Sequence, residues 1–520
     1  MDTASTTTPS EASAGHPLLL GIDGGTEAVR AALFTIDGEL VGFGRSPHPT
    51  RHEHPGWAEQ NPTDWWAALA IAVRQVMTEH EVRPGQIVGI SYGCTSSTVV
   101  FCDPAGVPTR SALIWMDVRS APQATAIAST GHPALKYSGN TTASAEWLPC
   151  KAVWVRQNDP DTYARSGVVC EYTDWLGFRL TGHWAASVNT AAIRSYYDRN
   201  TGGWPESLYA QIGVGDLTHK LPSTVLDMGT CLGGLSAEAA SDLGLRAGTP
   251  VGVGGADAFV AMVGMNAIRP GSVALITGSS HLHLLQSTTA SFGGGLFGAY
   301  TDAVLPGQFT VEGGQPSSGS VLRWFRDLAG AGHRWDYGQL EVEARNLPPG
   351  SDGVHVLEHW QGSRTPHVDS GSRGAIWGLT LAHGAPHIYR AIIEAVCFGT
   401  EFIFEAFESN GHRIETVTAC GGALNSELWM QAHADVSNRR IAVPRVGESG
   451  TLGAAILAAV AAGVYADVVS AAGAMTAIQR HIEPRAEMHA AYLPHLDRYR
   501  RSYAALRDLD IHDPNSATTR

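Results

Sequence analysis

The sequence predicts an α/β protein built from two similar halves that face each other across a cleft. A buried-strand pattern, a glycine-rich turn and a second strand open the chain at residues 18–36, and the same succession returns at residues 272–286. Strand patterns alternate with helical ones in both halves, as mixed α/β layers require. At 520 residues the chain also exceeds what one hydrophobic core usually serves, so two cores are expected.

The elements follow in order. LLLGID (Leu18 to Asp23) is a nearly unbroken apolar run; Gly24-Gly25-Thr26 interrupts it, AVRAALFTI resumes it, Asp37-Gly38 marks a hairpin and LVGFGRS supplies a third strand. Asn61-Pro62-Thr63-Asp64 reads as a helix start, with a capping side chain, a proline near the first turn and a long amphipathic run behind it. VGIS (Val88 to Ser91) and VVFC, closed by Asp103-Pro104-Ala105-Gly106, complete the first α/β unit. In the second half SVALITG (Ser272 to Gly278) and HLHLLQ repeat the strand, turn and strand. VTACGG (Val417 to Gly422), the helix-like SELWMQAHADVSN, the strand RIAVP and the helix GTLGAAILAAVAAG come after them. The boundary falls near residue 256, within VGVGGADAF. This gives a tail over 1–16, an N-terminal domain over 17–255, a C-terminal domain over 256–505 and a tail over 506–520. Gly252, Gly254 and Gly255 would relax the backbone there, as a hinge requires.

Composition narrows the function. A formal charge of -14 works against nucleic acid or an anionic membrane as the main partner, yet backbone N–H groups and a metal ion can hold phosphates without a basic patch. The Ala-rich run Leu452 to Val464 is too short to span a bilayer and is expected to be a buried helix. Met1 to Pro17 lacks the basic and apolar segments of a signal peptide. The seven cysteines are scattered with no CxxC pair, which fits a reducing cytoplasm better than a disulfide framework or a zinc site.

Three turns carry chemistry. GIDGGTEAVR (Gly21 to Arg30) sets a carboxylate at a strand end and two glycines plus a hydroxyl in the turn behind it, which suits phosphate oxygens and a hydrated Mg²⁺, although a lone DGGT is also an ordinary hairpin turn. Neither GxxxxGK[ST] nor GxGxxG is present, which excludes the Walker A and Rossmann arrangements. TGSSH (Thr277 to His281) offers a second small-residue turn between strands. ACGGALNS (Ala419 to Ser426) places Gly-Gly at a strand-to-helix junction, where a flat base can lie against bare backbone. His281 and His283 alternate on one strand face and, with no third ligand in register, are read as packed or phosphate-turn residues. His48, His52 and His54 are read as solvated loop residues.

With these turns in place, the chain resembles the FGGY carbohydrate kinases, within the sugar-kinase, heat-shock-protein and actin ATPase superfamily. GWAEQNPTDWW (Gly56 to Trp66) is similar to the family's GWxEQDP stretch, and GAIWGLTLAHGAPHIYRAIIE (Gly374 to Glu394) is similar to its C-terminal signature, including Gly378, Leu379, His387, Ala391 and Glu394. The N-terminal signature around Lys151 to Trp154 departs from the pattern at Ala152 and Leu148. The likeness runs from about Leu18 to about Arg500.

The resemblance implies two actin-like (ribonuclease H-like) domains with an active site in the cleft between them. It implies that Asp23 serves Mg²⁺; that Gly24, Gly25, Thr26, Thr277, Gly278 and Ser279 serve the ATP phosphates; and that Gly421, Gly422 and Asn425 serve the adenosine. It makes Asp257 in GGADAF the base that also touches the sugar, with Ser96, Asp117, Glu146, Trp147, Arg194 and Glu312 as further sugar contacts. SAEW and EGGQ are similar to the ribulokinase branch, with Arg194 where a lysine is usual. The expected activity is phosphorylation of a pentulose such as ribulose by ATP with Mg²⁺, in a cytoplasmic enzyme with no nucleic-acid or membrane partner. A pentitol or tetritol acceptor, an ATP-switched chaperone or filament protein, and a homodimer are the open alternatives.

Overall fold

The computed structural model describes residues 15–139, 143–329 and 335–507. Most of both expected tails lies outside the described residues.

Two seven-stranded sheets carry the molecule, and their strand orders match. In the first sheet Leu18–Gly24 pairs antiparallel with Ala28–Thr35, which pairs antiparallel with Leu40–Pro47. On its other side lie Ile87–Cys94 and then Pro250–Gly252, both parallel, and antiparallel Cys231–Gly234 closes the edge. The second sheet repeats this with Ser272–Thr277, His281–Ser287 and Phe309–Gln315, then parallel Thr416–Gly421 and Ile441–Pro444, then antiparallel Ile478–Ile482. The duplication read from two strand–turn–strand motifs is thus a duplication of six strands. VVFC lies instead in a separate four-stranded sheet with Glu59–Gln60, Ala112–Leu113 and Val168–Glu171.

The helix Pro62–Glu79 starts where the sequence indicates: the Asn61 side chain accepts the Thr63 N–H and Pro62 occupies the first turn. It buries Trp65, Leu69, Ala72, Val73 and Val76, one face of a 3.6-residue period, against the first sheet.

The Ala-rich helix Ser449–Ala461 is buried, as its composition predicts, but it packs on the sheet of the other half. A Cβ on Gly21 would overlap the Thr451 carbonyl oxygen, one on Gly89 would come 2.6 Å from that of Ala458, and one on Gly252 would come 3.0 Å from that of Leu457. On its other flank Gly453 would overlap Val260 in the helix Asp257–Gly264. Bare backbone on both partners lets these two helices cross closely, and an apolar cluster including Leu19, Phe34, Phe259, Leu452, Ile456, Ala274 and Leu284 joins the halves. Gly252, Gly254 and Gly255 are packed here and none has a positive φ; a Cβ on Gly254 would overlap the Tyr92 carbonyl. Close approach, not a relaxed joint, explains these glycines. No described helix is long and apolar enough to cross a membrane.

Candidate active site

Register brings the two key carboxylates to one level. Asp23 pairs with Gly93, and Gly93 pairs on its other side with Gly255, two residues before Asp257. Asp257 is the first residue of its helix, and its carboxylate accepts the Ala258 N–H at 2.7 Å. The residue stays partly exposed. Burial, then the charge of Asp23, pushes its pKa up to about 7, against the pull of the Ala258 N–H, Arg194 and Arg30. Burial also raises Asp23, opposed by its 2.6 Å ion pair with Arg30. A carboxylate that titrates near neutrality is suited to accept a proton in a reaction at pH 7.

The first turn is held from behind. The Gly25 and Thr26 carbonyls meet His48 Nε2 (3.1 Å) and Gln60 Nε2 (2.7 Å), and the Thr26 hydroxyl accepts the Trp115 indole N–H at 2.9 Å. His48 is therefore a buried strut and not the solvated loop residue the sequence suggests; the exposed His54 is the kind of residue expected there. Gly24 must lack a side chain, because a Cβ would stand 2.8 Å from the Tyr172 ring.

The second turn is built differently. Thr277 is buried, its hydroxyl donating to the Cys420 carbonyl at 2.6 Å and accepting the Ala423 N–H at 3.1 Å. It ties the turn to Gly421, whose φ of 96° and contact with the Thr277 carbonyl both demand glycine. Gly278 and Ser279 are exposed. Behind this turn opens a cavity of about 360 Å³ lined by Gly422 and Asn425, two of the three residues expected at the adenosine, by Gly278, expected at the phosphates, and by Tyr337, Glu341, Tyr389 and Trp429; Gly421 is not in its lining. Its size and aromatic walls suit a nucleoside. The aromatic residues come from three separate helices, so no local pattern announces them.

Of the residues assigned to the sugar, Ser96, Arg194 and Glu312 converge. Arg194 lies in the helix Val188–Ser195 and forks onto Glu312 of the opposite half at 3.2 and 3.3 Å, while its Nε donates to Ser96 Oγ at 3.3 Å. Tyr300, unmarked in the sequence, donates to Glu312 at 2.8 Å. Burial works against the Arg194 charge, but Glu312 and Tyr300 outweigh it and raise its pKa. Glu146 is engaged elsewhere, in a 2.9 Å ion pair with Arg364, and Trp147 is buried edge-on to Tyr196 and Phe297. Asp117 is fully buried, its oxygens taken by Arg119 (2.6 and 2.9 Å) and the Ala58 N–H (2.7 Å), so in this conformation it anchors Arg119 beneath Trp57.

Lys151, from the partly matching signature, is wholly buried and donates to the carbonyls of Ser97, Leu113 and Ile114 at 2.5, 3.1 and 2.8 Å. Burial lowers its pKa to about 8, with Glu171 opposing. Three donors meet three acceptors, which pins the turn that presents Ser96; Ser97 there has a φ of 57°. His281 and His283 are packed, as read, and His433 stacks on His281 at 5.5 Å between ring centroids. Among the described residues no group of three or more His, Cys, Asp or Glu side chains is arranged to hold a metal ion.

A nucleoside-sized cavity beside one turn, and two carboxylates of raised pKa brought to one level at the other, are what moving a phosphoryl group from a nucleotide to a hydroxyl would require. The class is that of two-domain, actin-like phosphotransferases. Comparison with known proteins makes this specific: the N-terminal domain model of the FGGY family of carbohydrate kinases matches residues 18–264, and the C-terminal domain model matches residues 273–462. The chain is 30% identical to a ribulokinase of Geobacillus thermodenitrificans over 92% of both chains, and 27% identical to a xylulose kinase of Bacillus subtilis over 95% of this chain and 98% of that one. Its structure matches that of a xylulose kinase from Rhodospirillum rubrum with a TM-score of 0.82, at 26% identity, over 95% and 99% of the two chains. The protein belongs to the FGGY family of carbohydrate kinases and is a sugar kinase that takes its phosphate from ATP.

Proposed function

We propose that the acceptor is a pentulose such as ribulose and that Asp257 is the base that accepts the proton of the attacking hydroxyl. The observation that carries this reading is electrostatic. Arg194, held by Glu312 and Ser96, lies close enough to Asp257 for its charge to pull against the rise in the carboxylate's pKa, and one short helix connects the polar cluster to the segment before the base. Such a cluster asks for several hydroxyls in defined positions. The ribulokinase and xylulose kinase relatives support a five-carbon ketose.

The donor set at the first turn suits Mg²⁺: Asp23 offers a carboxylate whose raised pKa shows that Arg30 only partly compensates its burial. Asp23 is the residue that would hold the ion, and the ion would supply charge neutralisation at the phosphates. The protein's own groups do the rest. The two turns fix the phosphate chain from opposite halves, and Arg194 with Glu312 orients the sugar. Asp257 takes the hydroxyl proton as the oxygen attacks the γ-phosphorus in line, and the bond from that phosphorus to the β,γ-bridging oxygen breaks to release ADP.

The test is kcat/KM with Mg·ATP across glycerol, tetritols, pentitols, ribulose and xylulose. A pentulose is expected to be best and glycerol on the order of 10⁴-fold worse, because missing hydroxyls leave buried polar groups unpaired. Glycerol equal to every pentulose would overturn the assignment.

A further inference from the structure

The strand that delivers Asp257 is short, and its hold comes from side chains on another element. Gly255–Ala256 is only two residues long, and the following helix receives no side-chain cap. Two residues at the start of the helix Val188–Ser195 grip this segment at alternate positions. Ser187 Oγ donates to the Gly254 carbonyl at 2.7 Å, and Asn189 Oδ1 accepts the Ala256 N–H at 2.8 Å. The other arm of the amide, Asn189 Nδ2, donates to the Ala303 carbonyl at 2.7 Å, in the segment that follows the strand Gly298–Thr301 of the opposite half.

Both side chains are buried, Asn189 at 0% and Ser187 at 1% exposure, and Ser187 is itself fixed through its N–H to Asp174 at 2.9 Å. Gly255 makes the grip possible: a Cβ there would lie 3.0 Å from Asn189 Oδ1. Five residues along the same helix, Arg194 reaches Glu312 and Ser96. One short helix therefore sets the base at one end and the sugar-facing cation at the other.

We propose that Asn189 is a positioning residue for Asp257, fixing the carboxylate through the Ala256 N–H and tying it to the opposite half through Ala303. The proposal rests on the reading of Asp257 as the base. An in-line attack tolerates little displacement of that base, and a shift of about 1 Å can cost on the order of 10²-fold in rate. Asn189 touches no reacting atom, so its loss acts on turnover and leaves nucleotide binding alone.

The experiment compares Asn189→Leu, Asn189→Asp and Asp257→Asn with the full-length enzyme, reading kcat, both KM values and Tm. Asn189→Leu removes both hydrogen bonds and is expected to lower kcat by about 10²-fold with the KM for ATP within twofold of wild type. Asn189→Asp keeps an acceptor for the Ala256 N–H but loses the donor to the Ala303 carbonyl, and its turnover should fall between wild type and the leucine variant. Asn189→Ser carries the same expectation as the leucine variant should that one fail to fold. Leu243→Ala, a core cavity elsewhere in the first half, matches the loss of Tm and should leave kcat unchanged. Wild-type kcat in the Leu or Ser variant overturns the positioning role. Asp257→Asn separates the two readings: normal turnover there removes the base itself, whereas an inactive Asp257→Asn beside an active Asn189→Leu removes only the clamp.

Discussion

The two halves share a strand order but not a chemistry at their turns. In the first, the strand Leu18–Gly24 ends in a carboxylate paired with Arg30, and the turn behind it is held by His48, Gln60 and Trp115. In the second, the equivalent position is Thr277, a neutral hydroxyl spent wholly on tying its turn to Cys420 and Ala423. Charge is concentrated at the first turn and neutral backbone at the second, beside the cavity; on the proposed function the first end handles the phosphoryl group and the second holds the nucleotide. A duplicated scaffold has been divided between these tasks by single residues at corresponding strand ends.

That division predicts an asymmetry between equivalent substitutions. Asp23→Asn should lower kcat/KM for Mg·ATP by about 10³-fold, since it removes the charged ligand at the reacting end. Ser279→Ala in the exposed second turn should stay within about tenfold, because backbone N–H groups remain to hold phosphate. Steady-state kinetics on the two variants decides the matter, and equal losses would mean that the turns do the same work.

Asp257 sharpens the contrast through pH. Its pKa of about 7 means that turnover at saturating substrate should rise with pH and level off only above neutrality, whereas an ordinary carboxyl would give a flat profile from pH 5 upward. The sign for stability is opposite. Because the folded pKa lies above the unfolded one, the contribution of Asp257 is fully present below about pH 4 and is lost as pH rises through about 7. Asp257→Asn should therefore raise Tm at pH 8, leave it unchanged near pH 4, and reduce turnover by 10²- to 10⁴-fold above neutrality, with the gap narrowing as the wild-type carboxyl protonates at lower pH. A variant with no gain in Tm at pH 8 would show that the carboxylate is not strained by burial and Asp23.

What the sequence reveals follows the range of the interactions. The strand–turn–strand openings, the Asn61 cap and the Ala-rich buried helix are legible because periodicity and capping are local. Gly422 and Asn425 lie in the cavity wall that the strand-to-helix turn suggests, and register brings Asp23 level with the segment before Asp257, a residue singled out through the family resemblance. The long-range pairings are hidden. Nothing near Gly21 or Gly89 says that a helix from the far end of the chain will lie on them, and nothing near Glu146 names Arg364 as its partner. Tyr337, Tyr389 and Trp429 look like ordinary helix-face aromatics until three helices close around a cavity. Asn189 and His48 act on backbone atoms, an interaction with no residue-type signature at either end.

The smallest expected effect tests the neutral turn itself. Thr277→Val keeps the shape but loses one donor and one acceptor, and it leaves the N–H of buried Ala423 without its partner. An unpaired buried donor costs about 1–3 kcal/mol, so Tm should fall by a few degrees. The loosened joint lies between the second turn and the strand end that leads to Gly422 in the cavity wall, so on the proposed function the KM for ATP should rise several-fold. Ser96 and Arg194, the proposed sugar contacts, belong to the other half, and the KM for the acceptor should not move. Measured together, these three quantities separate the tie from the site: a changed acceptor KM would place Thr277 in contact with both substrates, and the chemical division between the two halves would fail at that residue.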